Sequence, residues 1–98
     1  MTLAEFQSSL NAKTAPRAIA PALAALWWAK KGDWDKAHKI VMDADGRDAA
    51  WVHAYLHRVE GDAGNAAYWY RQARQPVSKA THDREWDTIV AALLRGEG

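Results

Sequence analysis

Residues 49–73 read AAWVHAYLHRVEGDAGNAAYWYRQA, and this stretch decides the fold. From about Ala49 to Glu60 it is apolar or aromatic on nearly every face of a helical wheel, the pattern of a helix buried on all sides. Gly61-Asp62 then interrupts it: Gly closes one helix, and the Asp side chain can cap the next. A second helical pattern runs from about Gly64 to Arg74, where Gln75-Pro76 stops it. Two helices across so short a turn make a helical hairpin. The stretch also holds all three tyrosines, two of the six tryptophans and two of the four histidines, so any binding chemistry is concentrated here.

On the N-terminal side the same grammar recurs. Asp33 can cap a helix from Trp34 to about Ala44, on which Ala37, Ile40, Val41 and Ala44 share one arc. The polar turn from Asp43 to Asp48 follows, with Gly46 as breaker. Upstream, a helix opens at Pro16 or Pro21, both suited to a first helical position, and ends at Gly32 behind Lys30 and Lys31. Thr2 and Glu5 form a capping box for a short first helix, with Leu3, Phe6 and Leu10 at helical spacing and an end near Lys13. Beyond the hairpin, Ser78 or Thr81 caps a last helix. Its stripe of Trp86, Ile89, Val90, Leu93 and Leu94 is an uninterrupted i, i+3, i+4, i+7, i+8 pattern that Gly96 ends. No segment alternates with period two. The expectation is an all-α array of about six helices in a single domain, residues 1–98, with two hairpins flanked by N- and C-terminal capping helices.

The two hairpins are an internal repeat. KKGDWDKAHKIVMDA (30–44) and VEGDAGNAAYWYRQA (59–73) align without gaps, pairing Gly32 with Gly61, Asp33 with Asp62, Ala37 with Ala66 and Ala44 with Ala73. Small alanines on one helical face let paired helices approach closely, and a periodic helix–turn–helix unit belongs to solenoid-type architectures. The pattern resembles the tetratricopeptide repeat. Its small first-helix residue falls on Ala25 and Ala54, and its second-helix positions fall on Ala37, Val41, Ala44 and on Ala66, Tyr70, Ala73. The second unit is similar to the Sel1-like subgroup, with Ala66, Trp69-Tyr70 and Ala73. The spacing is shorter than the family's usual period, and the Sel1-type glycine-rich loop is absent. The resemblance implies a non-enzymatic protein- or peptide-interaction module. Repeats of this kind need further units or caps, which the terminal helices supply here; a homodimer is the alternative way to cover the ends.

Composition narrows the function classes. A formal charge of +1 gives no basic excess of the kind nucleic-acid binding requires, so no nucleic-acid partner is expected. There is no cysteine, hence no disulfide framework or thiolate chemistry. The longest apolar run, Ala22 to Ala29, is too short to span a bilayer, and MTLAEFQSSL lacks the charged and apolar regions of a secretory signal. The expected location is the cytoplasm, with no membrane association and no cofactor. No nucleophile-base arrangement or phosphate loop is present, so nothing marks an enzyme.

Two sets of residues carry what chemistry there is. In the tetratricopeptide repeat the first-helix face lines a groove for partner peptides. The matching arc here is Trp51, Tyr55 and Arg58, to which Tyr68 and Trp69 add neighbouring aromatics; Trp, Tyr and Arg are the usual anchors of such contacts. The opposing reading is that Trp51 and Tyr55 are core residues beneath a terminal helix. The second set is His53, His57 and Glu60, one turn apart on one face of the fourth helix. Histidines at i and i+4 can share a metal ion with a carboxylate as third ligand. This is not the H-E-x-x-H protease motif, because Ala54 stands at the glutamate position. The opposing reading is hydrogen-bonded packing histidines against Trp69 and Tyr70. Tyr68, Arg71, Arg74 and Lys79 read as a solvated rim.

Overall fold

Thr2 begins the first helix as its spacing predicts: its hydroxyl accepts from the Glu5 amide at 3.1 Å, and Glu5 accepts from the Thr2 amide at 2.9 Å. A computed structural model describes residues Met1–Gly96. It contains α1 (Leu3–Ser9), α2 (Pro21–Lys30), α3 (Trp34–Met42), α4 (Arg47–Val59), α5 (Ala63–Ala73) and α6 (His82–Leu94). The described residues include no strand, so the protein is all-α with the expected six helices.

The two Gly-Asp turns are the same structure built twice. Gly32 and Gly61 hold φ of 92° and 87°, a left-handed conformation that costs glycine nothing. The Asp33 amide returns to the Trp28 carbonyl at 3.0 Å, and the Asp62 amide returns to the His57 carbonyl at 2.8 Å. These are paired Schellman closures. Each Asp then caps the following helix, accepting from the Lys36 and Asn65 amides at 3.1 Å. Buried Ala25 and Ala37 sit in the α2–α3 hairpin, and buried Ala54 and Ala66 in the α4–α5 hairpin, where the missing side-chain bulk allows close packing.

Some boundaries differ from the sequence reading, each for a local reason. α1 stops at Ser9 rather than Lys13, because the ammonium of Lys31 collects the Leu10 and Ala12 carbonyls at 2.7 and 3.0 Å. α2 starts at Pro21, and Ala18, at φ 60°, keeps the segment after Pro16 out of the helix. α3 ends at Met42, short of Ala44. α4 starts at Arg47 rather than Ala49, since Gly46 at φ 99° turns the chain directly into its first turn. Thr81, not Ser78, caps α6, its hydroxyl accepting from the Arg84 amide.

α4 is the central helix. α5 and α3 pack on it from two sides with their backbones apart, and α6 lies across α4, α2 and α1. Phe6, Leu26, Trp27, Val52, Leu56, Trp86, Ile89 and Val90 form one fully buried core between α1, α2, α4 and α6. The buried indoles satisfy their N–H groups within it: Trp86 donates to the Leu26 carbonyl at 2.8 Å and Trp27 to the Ser9 hydroxyl at 3.1 Å. A smaller cluster of Ala54, Ala66 and Tyr70 joins α4 to α5. Among the described residues no helix is long and apolar enough to cross a membrane.

Candidate metal centre

Because α3 and α5 both lie on α4 yet stay apart, they leave an open trough floored by α4. The antiparallel register of α3 on α4 decides what enters it. Trp34 lies against His57, and one turn along α3, His38 lies against His53 one turn back along α4. Three imidazoles therefore meet, two from α4 and one from α3. One ring nitrogen of each of His38, His53 and His57 lies within 4.8 Å of the other two.

The rings are held from both sides. Trp34 stacks on His38 at 4.6 Å between centroids and Trp69 stacks on His53 at 3.9 Å, nearly parallel at 21° and 11°. The Trp34 indole is itself fixed by donating to the Leu56 carbonyl at 2.8 Å. His38 and His53 share a hydrogen between their Nε2 atoms at 3.1 Å. The His57 Nδ1 meets Glu60 Oε1 at 2.5 Å. A carboxylate on Nδ1 sets the ring orientation, the usual role of such a partner beside a histidine that ligates through its other nitrogen.

Burial and mutual repulsion favour the uncharged form of His53 and His38. His53 is 6 % exposed, and burial, then the neighbouring His38 and His57, pushes its pKa from 6.5 down to about 4. His38 is lowered for the same reasons, against the opposing pull of Glu60 and Asp35. Both are neutral at pH 7, and for both Nε2 atoms to hold a cation the hydrogen they share must move to an Nδ1. In a tetrahedral zinc site with Zn–N near 2.0–2.1 Å the nitrogens lie about 3.3 Å apart. The His38–His53 pair is already at 3.1 Å, and the third nitrogen needs a displacement on the order of 1 Å.

The five residues read from the sequence as partner-binding do not share a face. Tyr55 is 5 % exposed and belongs to the core with Leu56 and Trp86. Burial, then nearby Glu85, pushes its pKa up to about 12. Arg58 donates to Glu85 Oε1 at 2.8 Å and to the Ala80 carbonyl, so it is engaged internally. Trp51 is half-buried and lines a cavity of about 450 Å³ with Pro76, Val77 and Glu85. Tyr68 is exposed on α5, its ring set edge-on to Trp69, and Trp69 faces the trough through His53. Tyr55 and Arg58 of that arc are thus covered by α6 and the segment before it, while Trp51 borders the cavity between them and residues 75–80. Of the metal candidates, His53 and His57 meet as their spacing indicates. Glu60 touches His57 and, with Asp62, forms a separate possible donor group around that ring.

His38 is the residue the sequence reading missed. Nothing in α3 alone marks it, since its neighbours Ala37 and Lys39 make it one more position on a half-buried wheel. The signal lay in the hairpin: folding α3 back on α4 about the Asp43–Gly46 turn brings position 38 opposite position 53. No protein-family model, no curated protein and no solved structure matches the chain.

Proposed function

We propose that this chain is a small metal-binding protein that holds one divalent transition-metal ion, of the zinc class, on His38, His53 and His57. The convergence of three imidazoles from two helices carries this reading; the Glu60 carboxylate behind His57 and the Trp34 and Trp69 rings that fix the ligands add to it. Imidazole donors suit zinc, copper, nickel and iron, and carboxylate-preferring magnesium or calcium would be bound poorly. Calorimetric titration with Zn²⁺ tests it. One ion per chain should bind to the native protein, and His38→Ala should weaken binding by at least about a hundredfold. His38 is half-buried and outside the core, so that variant keeps its fold. No heat with the native chain, or an unchanged affinity in the variant, contradicts the reading.

A second reading, the tetratricopeptide-like interaction module, draws on the cavity between Trp51 and residues 75–80. There an aromatic ring and an extended segment could receive a peptide side chain. It requires that a bound protein partner be lost on Trp51→Ala in a variant that still melts cooperatively. Retention of the same partner by both chains ends it.

A further inference from the structure

The trough continues past the histidines. Toward the N-terminal end of α4 it widens into an open-sided recess of about 580 Å³ bounded by Val41, Ala50, His53, Trp69, Gln72 and Arg47. That volume is in the range of small-molecule sites. The two ends differ in chemistry. At one end is His53, the one of the three histidines that borders the recess, with His38 and His57 behind it. At the other is Arg47, the first residue of α4, exposed and with no ion pair or hydrogen bond to any other described residue. Val41 and Ala50 lie between them and offer only hydrocarbon. Six residues of helix separate the ends, about 9 Å along the axis, and an arginine side chain can shorten that gap.

Three histidines leave a tetrahedral ion one position for an outside ligand, the arrangement of open rather than closed zinc sites. A divalent ion on uncharged imidazoles also carries excess positive charge that an anion neutralises. We infer that this open position faces the recess and takes a small organic dicarboxylate, one carboxylate on the metal ion and the other on the Arg47 guanidinium, with its methylenes against Val41 and Ala50. The inference rests on the metal-binding reading above. Asp45 on the rim opposes a second negative charge, so the selectivity comes from having two anchors, one at each end of the recess, and not from a broadly positive surface. Guanidinium suits that role because it meets a carboxylate with two parallel hydrogen bonds.

The test uses the Co²⁺-loaded protein, whose visible bands report the ligand set, titrated with succinate and separately with acetate. Succinate should shift the bands and bind about tenfold or more tightly than acetate. In Arg47→Gln the acetate affinity should stay the same, while the succinate advantage falls to about twofold or less. Arg47 is exposed at a helix start, so this variant folds as the native chain does. Cobalt bands that neither anion changes would mean a closed centre, overturning this inference while leaving metal binding intact. Equal affinities for the two anions, or a succinate advantage that survives Arg47→Gln, overturn it as well. Absence of bound cobalt overturns both this inference and the metal-binding reading.

Discussion

At the scale of single residues, His53 connects stability to the proposed site. Its folded-state pKa of about 4 lies below the ordinary 6.5, so the unfolded chain takes up a proton at this position first. Stability is then complete above pH 6.5, declines as pH falls from 6.5 to 4, and levels off below that, a loss of about 3 kcal/mol at most. His38 from α3 acts in the same direction, while Glu60 and Asp35 partly oppose it. Urea midpoints at pH 7.5 and pH 4.5 should separate further in the native chain than in His53→Gln; equal separations contradict the assignment. Glu60 supplies a second expectation. Glu60→Gln should weaken Zn²⁺ about ten- to a hundredfold in calorimetry by loosening His57, with little change in melting temperature because Glu60 is exposed. The His53–His57 pair was legible from its i, i+4 spacing. His38 was not, because its role exists only once two helices are in register.

At the scale of elements, the Gly-Asp turns are where local sequence and structure agree most closely. The capping aspartates, the glycines and the small alanines were all readable, since each acts within one turn of its own position. Their energetics should also match. Gly32 and Gly61 have open space where a Cβ would go, so Gly32→Ala and Gly61→Ala should each cost only the left-handed backbone penalty, about 1–2 kcal/mol. Arg74 closes α5 in the same conformation, φ 58°, without being glycine. Arg74→Gly should therefore gain up to about 1 kcal/mol. Urea denaturation measures all three, and a clear difference between the two alanine variants would show that the turns are not equivalent. The ends of α1 and α4 were less legible. α1 gives up its last turn to a lysine on another segment, a tertiary contact that periodicity does not encode.

At the scale of the whole molecule, α6 determines which surfaces remain open. It lies across α4, seals the arc of Tyr55 and Arg58, and leaves the opposite trough between α3 and α5 exposed. Glu85 fastens it. Its carboxylate is 4 % exposed and accepts from Arg58 at 2.8 Å and from the Tyr70 hydroxyl, tying α6 to both helices of the second hairpin. From sequence it reads as an ordinary first-turn acid favoured by the helix dipole, and only the tertiary arrangement shows it buried. Glu85→Ala leaves a guanidinium without its partner and should cost about 3–5 kcal/mol. Asp83→Ala, which removes the exposed contact with Lys30, should cost less than about 1 kcal/mol. Comparable losses in the two variants would contradict this account of α6.

X-ray absorption at the zinc edge of the loaded protein tests the central claim most directly. The account predicts three imidazole nitrogens near 2.0–2.1 Å with one further light donor, and loss of the imidazole signature in His38→Ala. A first shell made chiefly of oxygen, or an imidazole count that His38→Ala leaves unchanged, would place the ion on surface carboxylates and contradict a centre built from α3 and α4.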